Sequence, residues 1–418
     1  MTRLERTAVA DSTATTDKAP GKAPRTYPFG RDRLEPDPLY AQLRHEEPVC
    51  LVQMPYGRPA WLVTNHELSK LVLSDPRFSR EATLEGDNPR ENPVDYTQVA
   101  ESILSMDPPK HTRIRQLVGK AFTPRRVEAV RPRARQIADG LLDDMTAAGP
   151  PADLVQSFSF AFPATVICEL LGITEAERHQ FRSWTSAMVS STASPEAQQE
   201  SFLNLFSYFD GLFAERRQRP GDDLLSGLIQ ARDNEDRLTE TELLFLGMSL
   251  LVGGFETSAS QITNMVYTLL THPQQLDLLR ARPELIPQAV EELQRYIVLG
   301  NAVNPRNATV DVQVGDVVVR AGEPVLCGLA AANRDESVFD RPDELDITRQ
   351  PNPHLGFGYG PHFCPGAHLA RMELQVSLET IVSRLPGLRI DVSDEDLDWR
   401  EGTVIWGLTS FPLSWDGS

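Results

Sequence analysis

The chain has 418 residues, 40% of them apolar, which is enough for a deep core, and a formal net charge of −18. That acidity argues against nucleic acid as a partner, and no segment approaches the ~20 consecutive apolar residues of a membrane span. Length alone suggests two or three domains.

Residues 1–25 are rich in Thr, Ala, Asp, Lys and Pro and hold no apolar stretch. They read as a disordered tail, neither signal peptide nor anchor, ahead of a folded part at 26–418. Strands are expected at 49–53 and 60–64 around the turn P-Y-G-R-P, then a short helix at 66–73. Residues 79–101 are polar with scattered proline and glycine, a loop long enough to be functional or mobile. Helical spacing then dominates, at 109–121, 124–147, 161–171, 175–191, 197–217 and 224–232, with a longer run at 239–270. A helix over 285–298 is expected to stop at Gly300. An extended connector at 301–304 follows, because Pro305 discourages a return to helix. Short strands come next at 311–320 and 324–328, and helical spacing resumes at Ala367.

The cysteines, Cys50, Cys168, Cys327 and Cys364, are far apart and form no C-x-x-C, so neither a zinc finger nor a thioredoxin-like motif is supported. Three lie in apolar runs and read as core, in a reduced, cytoplasmic chain. Cys364 is different. Phe357 to Gly366 reads F-G-Y-G-P-H-F-C-P-G, a loop in which Gly358, Gly360 and Gly366 let the backbone come close to a partner. The loop ends where a helix begins, and a helix N-terminus favours thiolate over thiol. A thiolate held under a flat ligand suits a haem iron.

A second constellation lies in the long helical run, L-L-V-G-G-F-E-T-S from Leu250 to Ser258. Adjacent glycines, Gly253 and Gly254, cost about 1 kcal/mol each relative to alanine in a helix. A helix keeps them where something packs closely or its bonding opens. Glu256 and Thr257 put an acid and a hydroxyl in the same apolar surroundings. His111 and Arg115 are four apart, on one face of a helix opened by Pro108 and Pro109, and two cations on one face can clamp carboxylates. Glu292 and Arg295, three apart, can pair.

The F-G-x-G-x-H-x-C-x-G frame resembles the haem-binding loop of the cytochrome P-450 family, and the blocks above follow in that family's order over nearly the whole chain. Pro365 departs from the usual aliphatic residue, and Gly253 stands where alanine is commoner. The resemblance implies a mainly α fold with small β-sheets (α+β), the triangular and mostly helical cytochrome P-450 architecture, in one domain over 26–418. It implies haem b as cofactor, with Cys364 as thiolate ligand of the iron and Phe357, Gly358 and Gly366 shaping the loop. His111, Arg115, Arg306 and His362 match the positions that hold the propionates. Glu256 and Thr257 match the oxygen-activating pair that delivers protons. Glu292 and Arg295, joined by Arg349, match a buried ion network that serves folding rather than catalysis.

The activity implied is a haem-thiolate monooxygenase that hydroxylates or epoxidises a mainly apolar small molecule. Its cavity walls would come from 80–99, 181–188, 246–254, 298–304 and 404–408. The general look is similar to actinobacterial members that tailor macrolides and other polyketides. No flavin or nucleotide glycine motif is visible, so a ferredoxin and a ferredoxin reductase are the implied electron donors to a cytoplasmic monomer. The run Lys110, Arg113, Arg115, Lys120, Arg125, Arg126, Arg131, Arg133 and Arg135 faces a single acid, Glu128. It is either a solvated basic face or a docking patch for an acidic donor.

Two other readings stand beside this one. The same haem fold could couple phenols oxidatively or use peroxide. A zinc-binding hydrolase could use His354, His362, Cys364 and His368, but would leave Glu256, Thr257, Glu292 and Arg295 unexplained.

Overall fold

A computed structural model describes residues 23–417 except 92–99, 175–180, 182, 189, 191–192, 222, 236–237, 301–303 and 402–404. Its helices are α1 (Leu39–Glu46), α2 (His66–Ser74), α3 (Lys110–Ala121), α4 (Pro124–Ala148), α5 (Ala161–Leu171) and α6 (Pro195–Gln218). They continue with α7 (Leu224–Glu235), α8 (Glu240–Thr271), α9 (Pro273–Ala281), α10 (Ile286–Tyr296), the short α11 (Leu329–Ala332) and α12 (Ala367–Arg384). The mainly α expectation holds, and small sheets lie to one side.

The centre of the molecule is α8. Thr239 and Glu242 form a capping box at its start: the Glu242 N–H donates to Thr239 Oγ1 at 3.1 Å and the Thr239 N–H to Glu242 Oε2 at 2.8 Å. Two orphan donors are thereby satisfied. The helix is apolar nearly all round, and such a helix belongs inside. It packs against α5, α6 and α12, and its side chains belong to the largest core cluster. By length and composition it could cross a membrane, contrary to the expectation that no segment comes near one. Its most apolar window is 72% buried within the fold, which is where its hydrophobicity is spent.

Six strands form the main sheet, in the order Arg25–Thr26, Val49–Gln53, Ala60–Val63, Pro324–Cys327, Arg306–Ala308, Phe78–Ser79. The expected hairpin is present, with Val49 opposite Val63 and Val52 opposite Ala60. Arg306 sits in this sheet, paired with Val325.

Several boundaries differ from the expectation. The helix foreseen to 298 ends at Tyr296, because Ile297 turns extended (φ −104°, ψ 115°) before Gly300 is reached. A π-turn at Val155–Ser159 precedes α5, and α9 starts on Pro273; neither shows in the apolar spacing. Most of the tail at 1–25, most of the connector at 301–304 and parts of 79–101 and 175–191 lie outside the described residues.

Candidate active site

The loop before α12 is held by its own backbone. Gly358 N–H donates to Leu355 O at 2.8 Å, Phe363 N–H to Gly360 O at 3.0 Å and Cys364 N–H to Phe357 O at 2.8 Å. Gly360 has φ +71°, and a Cβ there would lie 2.6 Å from Leu73 O. Only glycine fits where the loop presses on the end of α2. Gly366 needs no such freedom: its φ is −87° and its Cβ would meet nothing within 4 Å. Cys364 is half-buried, whereas Cys50, Cys168 and Cys327 are buried. Burial pushes the Cys364 thiol up, while the Gly366 N–H, Arg115 and Arg371 pull it down. Burial outweighs them in the haem-free chain. A metal ion replacing the proton is what would settle the charge on sulfur.

Basic side chains converge beside this loop, and Asp107 is the carboxylate felt at His111 and Arg306. The His111 and His362 rings lie 4.3 Å apart between centroids. Arg115, one turn on from His111, donates to Phe363 O. Arg306 is buried, and among the described residues its guanidinium has no hydrogen bond or ion pair. Burial first, then the charges of His111, Arg306, Arg80 and Arg115, drive His362 down to about 3. Burial likewise lowers His111, Arg115 and Arg306. The nearest acid, Asp107, is engaged by Ser79 and by the Arg80 N–H at 2.9 Å. Two buried or half-buried guanidiniums, Arg115 and Arg306, with two neutral imidazoles as donors and one carboxylate already engaged, fit a ligand that brings carboxylates of its own. Arg80, which no sequence pattern marked, joins the cluster from the 80–99 segment and donates to Leu104 O and Pro305 O.

The middle of α8 divides its functions by face. A Cβ on Gly254 would lie 2.8 Å from the Ile167 side chain, so this glycine serves close packing on α5. A Cβ on Gly253 would meet nothing within 4 Å. Thr257 Oγ1 donates to Gly253 O at 2.8 Å. Glu256 is fully buried and points elsewhere, accepting from Ser186 Oγ at 2.8 Å and from Arg400 Nη1 at 3.3 Å. Next to Thr257, Ser258 Oγ donates to Glu373 Oε2 at 2.8 Å. That bond ties the Thr257 turn to α12, the helix that Cys364 opens. Burial raises Glu373 to about 8 against the opposing Ser258 bond, and its Oε1 has no partner among the described residues. It is a neutral acid at pH 7, and sequence spacing did not single it out.

Glu292, Arg295 and Arg349 meet as expected. Arg295 grips Glu292 with two bonds of 2.8 Å, and Arg349 Nε reaches both carboxylate oxygens at 3.1 Å. The Asp346 N–H and Asn352 Nδ2 complete the shell around Glu292, and Arg295 donates also to the carbonyls of Asn333, Pro342 and Glu344.

Comparison with known proteins sets this geometry in a family. The family model described as Cytochrome P450 matches residues 214–282 and 279–386. Mycinamicin IV hydroxylase/epoxidase of Micromonospora griseorubida is 47% identical over 94% of this chain and 99% of its own. Nocardicin C N-oxygenase of Nocardia uniformis subsp. tsuyamanensis is also 47% identical, over 94% and 98%. The chain belongs to the cytochrome P450 family. Among solved structures, HinD with NMFT and NO superposes with a TM-score of 0.91 at 44% identity, covering 94% of this chain and all of that one. This cytochrome P450 is a haem-thiolate monooxygenase, one of a group that includes antibiotic-tailoring enzymes of actinobacteria.

The structure does not favour the zinc reading. Among the described residues no three His, Cys, Asp or Glu side chains are grouped to hold a metal. His354 is turned to Glu291, His362 to His111, and His368 is exposed. Some expected cavity walls prove to be core. Phe181 packs on Trp184 and Tyr208, Leu246 is buried, and a Cβ on Gly247 would lie 2.9 Å from Phe209. Parts of 80–99, 298–304 and 404–408 lie outside the described residues.

The basic run is also less basic than it reads. Arg113 pairs with Glu242, Arg131 with Glu128, Arg133 with Glu169, Arg135 with Glu379 and Lys110 with Glu101. Lys120, Arg125 and Arg126 are exposed and have no ion pair among the described residues.

Proposed function

We propose that Cys364 is the axial ligand of the haem iron, with His111, Arg115, Arg306 and His362 receiving the propionates and Phe357, Gly358 and Gly366 shaping the floor under the ring. The observation that carries this reading is the gathering of buried arginine and imidazole donors, more than the one engaged carboxylate Asp107 can answer, beside a half-buried cysteine in a backbone-locked loop. Gly366 and Gly253, where a Cβ would meet nothing within 4 Å, leave room for a flat group between loop and α8. Haem bound there supplies activation of dioxygen and transfer of one oxygen atom.

The chain's own part is to hold protons and exclude water. Thr257 Oγ1, anchored on Gly253 O, orients a proton donor toward the ring. Glu256 stands at the inner end of the proton route, and its ion-pair partner Arg400, 20% exposed, holds the carboxylate on the side that reaches solvent. Glu373 on α12 holds a proton at neutral pH and accepts a hydrogen bond from Ser258, the residue after Thr257 on α8. Glu292, Arg295 and Arg349 keep α10 joined to the chain entering the Cys364 loop and take no part in the chemistry.

The substrate in this reading is a mainly apolar small molecule of the polyketide or macrolide type, hydroxylated or epoxidised in secondary metabolism. Mycinamicin IV hydroxylase/epoxidase supports that class. Electrons come from a ferredoxin and its reductase, docking at the free cations Lys120, Arg125 and Arg126. The enzyme works as a cytoplasmic monomer in one domain over 26–418.

The test is the carbon monoxide difference spectrum of the reduced protein. Thiolate ligation is expected in the wild type and should be lost in Cys364→Ser; its persistence in the variant would overturn the assignment. Labelled dioxygen should appear in product only with a reduced donor present.

A further inference from the structure

Glu291 precedes the network-forming Glu292 but faces a different set of partners. Arg371 Nε and Nη2 donate to its two oxygens at 2.7 and 2.8 Å. His354 Nε2 donates to Oε2 at 3.1 Å, and His354 Nδ1 accepts the Gly356 N–H at 3.0 Å. That second bond fixes the tautomer, with the proton on Nε2. Burial pushes the Glu291 carboxyl up, yet hydrogen bonds from His354 and Arg371 win and hold it at about 2. The carboxylate is therefore charged throughout the neutral range.

The partners lead to the proposed iron ligand from both sides. Arg371 stands on α12 two turns after Cys364, and its guanidinium lies 4.5 Å over the Phe357 ring. The Phe357 carbonyl in turn accepts the Cys364 N–H. His354 stands at the entry of the same loop, ten residues before the cysteine. The positive charge of Arg371 thus stands one aromatic ring away from the backbone that carries Cys364, and the negative charge of Glu291 answers it at hydrogen-bonding distance.

We propose that Glu291, Arg371 and His354 form a positioning triad that sets how much negative charge the sulfur can carry, and hence the reduction potential of the bound haem. The inference rests on Cys364 being the axial ligand. Its physical content is a charge pair beside the metal: reduction adds a negative charge at the haem, an unanswered cation there favours the reduced form, and an unanswered anion opposes it. Neither Glu291 nor Arg371 takes part in the oxygen chemistry. Each acts through the loop.

The two halves of the pair must therefore act with opposite signs. Glu291→Gln frees the Arg371 charge and should raise the ferric/ferrous potential, by about tenfold in the equilibrium or ~59 mV for one electron. Arg371→Gln leaves Glu291 unanswered and should lower it. The double variant should return close to wild type. Glu291→Asp keeps the charge and should stay near the wild-type potential, which preserves the test should Arg371→Gln not fold.

Potentiometric titration of the holoenzyme, with the carbon monoxide spectrum recorded on each variant, reads both points. Shifts of the same sign, or none, in variants that keep the thiolate spectrum would overturn the triad. Absence of that spectrum from the wild type would overturn the axial-ligand reading itself, and the triad with it.

Discussion

Two groups of buried charge lie in this molecule and are built on opposite plans. Around Glu292 the hydrogen bonding closes: two arginines, an amide and a backbone N–H converge on one carboxylate, and the other guanidinium N–H groups go to backbone carbonyls. Around His362, itself neutral, three arginines and the His111 imidazole converge, and the carboxylate felt among them, Asp107, is already engaged by Ser79 and the Arg80 N–H. A closed network can hold architecture without help. An open one is costly until a ligand of opposite charge completes it. Burial by itself does not separate structural from functional charge; whether the group is balanced from within the chain does.

The contrast can be broken at either end. Glu292→Ala should have the largest effect, because it strands two buried guanidinium groups: about 3–5 kcal/mol of stability is at stake, and thermal unfolding should show little folded holoprotein. Cys364→Ser comes next. It should keep the fold, as circular dichroism would show, while losing the thiolate spectrum. Arg306→Gln sharpens the comparison, since it relieves repulsion in the haem-free chain. The apoprotein should melt higher than wild type while the holoprotein loses haem more readily to a competing acceptor. A variant that destabilises both forms would place Arg306 with the closed network instead.

Smaller effects test the proton and donor readings. Glu373 is raised to about 8 by burial, so the folded protein binds its proton more tightly than the unfolded chain. Stability should then fall as pH rises from the ordinary carboxylate range toward 8. Glu373→Gln should flatten that slope, measured as the difference in Tm between pH 6 and pH 8. The smallest change is expected from reversing Lys120 and Arg126 to glutamate together. KM for a ferredoxin donor should rise several-fold and depend less on salt, with peroxide-driven turnover unchanged.

Legibility followed the range of the interactions. His111 and Arg115, or Glu292 and Arg295, are visible in the chain because three or four residues is one turn of helix. Arg349 and Arg306 needed the family pattern, since their partners come from distant segments. Arg80 carried no signal, being one arginine at the start of a polar stretch. Glu373 left a faint one: four residues after Leu369 and three before Val376, it occupies an apolar face of α12 where an acid is out of place. The Glu291 triad was hidden behind its neighbour, because adjacent residues on a helix face different partners. His354 was read as a candidate zinc ligand for want of the carboxylate that Glu291 provides.

The residues in order were enough to mark the family and its cofactor, through a resemblance carried by short motifs, and most helices, through spacing within one or two turns. Which cations stay unpaired, which way Glu256 turns, and that Glu373 keeps its proton were decided by packing alone. Each depends on the dielectric and the neighbours that distant segments bring to a side chain, and neither is written in local spacing.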